Sequence, residues 1–278
     1  SVTTERWRFP APGKTSIIHI DADAGVLGAN YKADVPILGD ARLCLAALRR
    51  ELETRQRPGG RRELGAEAVA RAKQAKFAEF HKLAASNEAP IRPERVVADL
   101  QAVLPPEAVI VCDPGTPCPY FSAFYEFNRP GRHFISNRAH GALGYSMSAA
   151  VGAAYGRPDA KVVAVMGDGS FGFTCGELET IARRKVPITM IVTSNSVYGW
   201  IKAGQKTGFG ERYYSVDFST TDHAKVAAAF GVKSWRVEDP AELRSTLKKA
   251  TECGEPTLVD VVCQPLQDAR APVSEWIA

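Results

Sequence analysis

The sequence predicts an α/β protein: a doubly wound parallel sheet with helices on both faces, plus the remnant of a second α/β domain. Three observations lead there. From about residue 94 onward, short apolar β-branched runs alternate with helical patterns, which is how strands of a parallel sheet and their crossover helices read in sequence. The run "TSIIHIDADAG" at residues 15–25 looks like an interior strand of a parallel sheet, yet little sheet surrounds it. With 278 residues, 45% hydrophobic and 24% charged, the chain can bury a sizeable core.

Taken in order, the first strand is followed by "VPILGDARLCLAALRRELETR", which gives a short strand, Asp40 as a helix cap, and a helix with leucines at helical spacing. Two strands and one helix are marginal as an independent domain. Residues 1–53 are therefore expected to be the end of a larger domain, and the chain to begin partway through it. Residues 54–93 are charged and punctuated by "RPGG" and "NEAPIRP", and read as a linker carrying the amphipathic helix "GAEAVARAKQAKFAEFHKLAAS". Residues 94–278 hold the repeated units. They begin with the helix in "RPERVVADLQAVLP", then the strands "AVIVCD" and "HFISN" and the helix "LGYSMSAAVGAAYG". After these come the strand "KVVAVMGD", the helix "CGELETIARRK", the strand "ITMIVTSN" and the helix "DHAKVAAAFG". The strand "KSWRV", the helix "PAELRSTLKKATEC" and the strand "PTLVDVVC" complete the series.

Composition removes several function classes. The net charge of +4 is small, and the one dense basic run, "RQRPGGRRE", reads as a solvated linker, so no nucleic-acid partner is expected. The six cysteines form no C-x-x-C pair, which favours a reduced, cytoplasmic setting. No apolar run approaches the ~20 residues that span a bilayer, so no membrane partner is expected.

Ligands of open parallel sheets bind along the carboxyl ends of the strands. Asp168 stands just past "KVVAVMG" and Asn195 just past "ITMIVTS", and one crossover would bring both to the same edge. Magnesium wants about six oxygens and accepts few protein carboxylates when phosphate completes its shell. An Asp carboxylate, an Asn carbonyl and a backbone carbonyl would supply three. Gly167 and Gly169 permit positive φ and let a phosphate approach the main-chain N–H groups. "GDG" alone is a common turn, and the Lys and Ser/Thr of a triphosphate loop are missing. The combination of strand, GDG, helix, strand and Asn is what points to a metal-bound diphosphate.

The stretch "GDGSFGFTCGELETIARRKVPITMIVTSNSVYGW" resembles the fingerprint of thiamine-diphosphate-dependent enzymes, in the branch of acetolactate synthase, 2-oxoacid decarboxylases and acyl-CoA lyases. "GALGYSMSAAVGAAYG" and "IIHIDADAGVLGANYKADVPILGDARLCL" resemble two further blocks of that branch, in the family's order. The resemblance makes residues 1–53 the carboxyl-terminal remnant of the family's central domain and residues 94–278 its diphosphate- and magnesium-binding domain. It implies Asp168, Asn195 and the carbonyl of Val197 as magnesium ligands, with Gly167, Gly169 and Ser170 at the diphosphate. It implies Gly141 as the carbonyl that meets the cofactor's 4′-amino group, and Leu143 as the apolar residue that holds the cofactor bent, where Met is frequent. Gly115 and Thr116 fall where the family contacts the diphosphate, although the loop has no Gln or His. Tyr198 joins the cofactor residues, and Trp200 and Ile201 the substrate pocket. Without the resemblance, Leu143, Tyr198, Trp200 and Ile201 read as core, and Gly141 as a packing glycine.

The family also activates its cofactor with a glutamate on a separate pyrimidine-binding domain, which these 278 residues lack. The chain is therefore expected to be the carboxyl-terminal half of a split or truncated enzyme, in a homo- or hetero-oligomer with a second chain supplying that domain. Acetolactate-synthase-like chemistry on a 2-oxoacid is the leading expectation, with a 2-oxoacid decarboxylase, a 2-hydroxyacyl-CoA lyase acting on an acyl-CoA substrate, and a non-catalytic cofactor-binding subunit as rivals. Lys202 and Lys206 read either as attractors of an anionic substrate or as solvated surface, and Trp276 either as part of a lid or as surface.

Overall fold

A computed structural model of the chain describes residues 13–55, 61–137 and 140–265, with the side chains of residues 61–64 excepted. Trp276 lies outside the described residues. The chain forms two compact units, residues 1–72 and 73–278. The break falls inside a helix of the segment read as a linker, between the sequence boundaries at 53/54 and 93/94.

In the smaller unit, β1 (Ile18–Asp21) and β2 (Val35–Leu38) pair in parallel, and α1 (Ala41–Thr54) follows. Asp40 caps α1 as expected, its Oδ1 accepting the Leu43 N–H at 3.0 Å. No residue of α1 is buried. The long helix α2 (Arg61–Ala84) crosses the break, and its second half belongs to the larger unit. There Phe80 is buried and stacks on Phe124 with ring centroids 4.6 Å apart.

The larger unit continues with α3 (Pro93–Val103), β3 (Val109–Cys112), α4 (Pro117–Phe124), β4 (Phe134–Ser136) and α5 (Tyr145–Gly156). It runs on through β5 (Val162–Gly167), α6 (Asp168–Thr174), α7 (Glu177–Arg183), β6 (Ile188–Ser194) and α8 (Gly199–Gly208). It ends with α9 (His223–Ala229), β7 (Lys233–Val237), α10 (Pro240–Glu252) and β8 (Thr257–Val262). The six strands form one parallel sheet in the order β4-β3-β5-β6-β8-β7.

Helices cover both faces, as the sequence predicts, and the strand residues sort by the two-residue period of the pleat. Ile110, Val163, Val165 and Ile191 pack with Val97 and Leu100 of α3, Phe121 of α4 and Leu243 of α10. Val109, Val111, Ala164 and Met190 pack with Met147 of α5 and Leu178 and Ile181 of α7. Burying each such side chain stabilises the fold by about 1.5–3 kcal/mol. Because the chain runs from β3 outward to β4 and then crosses back to β5, the order reverses between β3 and β5. In open α/β sheets that is where a crevice opens beyond the carboxyl ends.

The helix α4, which the sequence pattern does not reveal, begins at Pro117 with a second proline two residues on. Proline is tolerated there because first-turn N–H groups have no intrahelical partner. No helix among the described residues is long and apolar enough to cross a membrane.

Candidate functional site

Three loops meet beyond the carboxyl ends of β3, β5 and β6. The first follows β3, where Asp113 is fully buried. Its carboxylate reaches across to the start of α5, accepting the Gly144 N–H at 3.0 Å, the Ser146 N–H at 3.0 Å and the Ser146 hydroxyl at 2.6 Å. Those donors are left without partners in the helix's first turn, so the aspartate both satisfies them and fixes the 141–144 loop. Gly144 has φ +85°, and a Cβ there would lie 2.8 Å from Thr174 Cγ2 of α6. Only glycine permits both the conformation and the contact.

This positioning brings together residues that the sequence singles out from separate segments. A Cβ on Gly115 would lie 3.6 Å from Leu143 Cδ2 and 3.9 Å from Ser170 Oγ. The β3 loop, the α5 entry and the first turn of α6 therefore converge on one point. Thr116 starts α4 without a capping hydrogen bond from its side chain, so its hydroxyl is not committed to the helix. Gly141 has φ +66°, and among the described residues nothing lies within 4 Å of where a side chain would be.

Asp168 joins the second loop to the third. Gly167 and Thr193 are register partners on the neighbouring strands β5 and β6, so the residues that follow them lie side by side. Asp168 Oδ1 accepts the Gly169 N–H at 2.8 Å, and Oδ2 accepts the N–H groups of Asn195 at 2.7 Å and Ser196 at 2.6 Å. Burial pushes the Asp168 carboxyl above the usual carboxylate range, and the three backbone N–H groups and the His223 charge only partly offset it. Asn195 Oδ1 accepts the Val197 N–H at 3.3 Å. Ser196 is held at φ +57°, an uncommon conformation for serine. A bridge between Val197 and Asp217 fixes the far side of the turn, with Tyr198 N–H donating to Val216 O at 2.8 Å.

One expectation needs correction. Gly167 has φ −80° and Gly169 is not among the residues with positive φ, so neither glycine serves a left-handed turn. Gly169 answers to a different constraint: a Cβ there would run into the ring of Tyr198, which would have to move. Tyr198 thus packs directly on the GDG segment. Trp200 is half-buried, packs against the core and has a buried Nε1 without a hydrogen-bond partner among the described residues, whereas Ile201 is 53% exposed. Lys202 is engaged by Asp217 at 2.7 Å.

A small cavity lies beside these loops, and its lining includes Thr116, Tyr120, Thr193, Asn195 and Gln264. Among the described residues the Tyr120 hydroxyl and Gln264 Oε1 are buried without partners, a state that polar groups avoid unless something completes them. Sequence reasoning missed Asp113, although a charged residue directly after the fully buried run "VIVC" is a signal for a paired carboxylate.

The donor set fits a divalent cation bound together with phosphate. An ionised carboxylate offers about four lone-pair sites and Asp168 uses three, which leaves one on Oδ1. Asn195 Oδ1 and the Val197 carbonyl belong to the turn that the same carboxylate holds. Among the described residues no group of three or more His, Cys, Asp or Glu side chains could hold a metal. A cation at this edge would rely on one carboxylate, neutral oxygens and an anionic ligand.

Comparison with known proteins gives the family. Residues 113–261 match the family model described as "Thiamine pyrophosphate enzyme, C-terminal TPP binding domain". The match begins at Asp113 and encloses every loop of the site. A probable acetolactate synthase large subunit from Methanococcus aeolicus is 31% identical over 259 residues, covering 90% of this chain and 43% of that protein. A probable sulfoacetaldehyde acetyltransferase from Rhizobium meliloti is 30% identical over 271 residues, covering 90% of this chain and 46% of that protein. An acetolactate synthase large subunit from Porphyra purpurea is 29% identical over 251 residues, covering 89% of this chain and 41% of that protein. The chain spans less than half the length of these relatives.

Proposed function

The chain belongs to the thiamine pyrophosphate enzymes, and from that membership we propose that it holds magnesium thiamine diphosphate by its diphosphate end, as the carboxyl-terminal half of an acetolactate-synthase-like enzyme. The observation that carries this reading is the Asp168 carboxylate. It is buried, it clasps the Asn195–Ser196 turn through two main-chain hydrogen bonds, and it keeps one lone pair for a cation.

When bound, thiamine diphosphate supplies the electron sink for making or breaking a carbon–carbon bond next to a carbonyl. The chain's own residues supply position. Asp168, Asn195 Oδ1 and the Val197 carbonyl hold the magnesium, while Gly115, Thr116, Gly169 and Ser170 border the diphosphate and Tyr198 closes over Gly169. Gly167 leads from β5 into the clasp. The Gly141 carbonyl accepts the cofactor's amino group, and Leu143, steadied through the Asp113–Gly144 bond, is the apolar wedge that keeps the cofactor bent. Trp200 and Ile201 face a 2-oxoacid substrate.

A second domain, on another chain or elsewhere in a longer one, completes the site with the group that activates the cofactor. Two observations support this: the share of the relatives that the chain spans, and the apolar surface that the smaller unit leaves exposed at Ile18, Leu38, Leu43 and Leu45.

Calorimetric titration of the 278-residue chain with magnesium thiamine diphosphate tests the site. Binding to the parent chain and loss of at least about a hundredfold in affinity in Asp168→Ala are expected, since each tenfold is about 1.4 kcal/mol and the only carboxylate ligand is removed. Equal binding by the two proteins would exclude Asp168 as a ligand.

A further inference from the structure

Beneath the Asn195 turn lies a buried polar network that the proposed function does not use. Ser194, the last residue of β6, donates its hydroxyl proton to Asp260 Oδ1 of β8. Ser194 Oγ lies 2.9 Å from His223 Nδ1 of α9. Because the hydroxyl proton is already given to Asp260, His223 Nδ1–H donates to Ser194 Oγ, and the same nitrogen also faces Asp260 Oδ1 at 3.5 Å. The other Asp260 oxygen accepts the His223 backbone N–H at 3.0 Å and Arg236 of β7 at 2.6 Å. Asp260 is fully buried, and Ser194 and His223 are nearly so. The His223 ring meets Phe171 of α6 edge-on, with centroids 5.1 Å apart.

Serine, histidine and aspartate in contact suggest a hydrolytic triad, but the geometry is not that of one. A triad sets the serine on one ring nitrogen and the carboxylate on the other, whereas Ser194 and Asp260 both face Nδ1 of His223. The network acts on geometry instead. Its one hydroxyl is gripped from two sides immediately before Asn195, and its ring rests on the residue immediately after Ser170. The same histidine therefore touches the residue just before the Asn195 turn and the helix α6 that carries Asp168 and Ser170.

We propose that His223 is a positioning residue: through its Nδ1–H bond to Ser194 it holds the strained 195–197 turn in the conformation that presents Asn195 and the Val197 carbonyl. The proposal rests on the reading of those two residues as magnesium ligands. Residues in uncommon backbone conformations persist only where their surroundings over-determine them, and Ser196 at φ +57° is such a residue. The Asp168 clasp holds the turn from the β5 side, and the Ser194 grip holds it from below.

Two substitutions separate the hydrogen bond from the packing. His223→Phe keeps a ring against Phe171 and removes the donor; His223→Asn removes the ring and places an amide N–H near the Nδ1 position. Amide hydrogen exchange on the ligand-free chain is the first readout. His223→Phe should speed exchange at Asn195 and Ser196, with Met190 to Val192 unchanged, and His223→Asn should restore the parent rate. The second readout is calorimetry with magnesium thiamine diphosphate, where His223→Phe should bind about tenfold more weakly, the scale of lost outer-shell support, and His223→Asn near the parent affinity. Unchanged exchange at 195 and 196 in His223→Phe, or equal acceleration in both variants, overturns the proposal. Failure of the parent chain to bind the probe overturns the cofactor reading alone, because the exchange result still decides the role of His223.

Discussion

In the larger unit, β5 and β6 pair over six residues and every residue of β6 is buried; in the smaller unit, β1 and β2 pair over four and leave Ile18, Val35 and Leu38 exposed. Both pairs are parallel, and both have apolar strands beside a helix with an apolar stripe. The difference is what covers them. β6 has α3 and α10 on one face and α5 and α7 on the other, whereas α1 buries none of its residues. Strand pairing satisfies main-chain groups, and the stability of a parallel sheet comes from the layers placed over it.

Three measurements break or sharpen this comparison. The largest effect is expected at the core. Ile191→Ala should lower the stability of the larger unit by about 3 kcal/mol, the usual range for emptying a packed aliphatic site, while Leu45→Ala on α1 should change stability by no more than about 0.5 kcal/mol. Urea denaturation of the two variants reads both numbers, and similar losses would erase the distinction between the units.

A smaller effect is expected where the larger unit builds its loops. Asp113→Asn keeps a polar side chain but cannot accept all three bonds from Gly144 and Ser146, so about 1.5 kcal/mol should be lost. Denaturation midpoints measure it, and a neutral result would mean that the 141–144 loop does not depend on the aspartate.

The smallest effect is in pH dependence. Burial pushes Asp260 up, but the His223 and Ser194 hydrogen bonds and the His223 and Arg236 charges outweigh it and leave its carboxyl below the ordinary value of 3.8. A carboxyl lowered by folding contributes stability that is present above 3.8 and lost as pH falls through its folded value. The acid limb of a pH series of denaturation midpoints should therefore be steeper in the parent chain than in Asp260→Asn. Parallel limbs would remove Asp260 from the acid response.

Much of the larger unit could be read from residue order because its signals are local. Strand and helix patterns alternate without long insertions, and the spacing from Asp168 to Asn195 spans one crossover, so their placement on neighbouring strand ends follows from topology alone. Asp40 is legible for the same reason, since a cap acts three residues away. What escaped was set by contacts distant in sequence. Asp113 reaches 33 residues on to Ser146, and Ser194 reaches 66 residues on to Asp260. Asp260 did leave a trace, as a lone carboxylate inside "TLVDVV", because a charge in a fully buried strand requires partners. The role of Gly169 could not be read locally, since it answers to the Tyr198 ring rather than to its own backbone. The break at 72/73 falls within one continuous helix, and no change of composition marks it.

The clasp around Asp168 is built from peptide groups. Gly169, Asn195 and Ser196 each contribute an amide that any residue but proline would carry. What limits position 196 is its φ of +57° and not the bond to the carboxylate. What places the carboxylate is the register of β5 against β6, which sets Gly167 opposite Thr193 and so brings Asp168 beside the Asn195 turn.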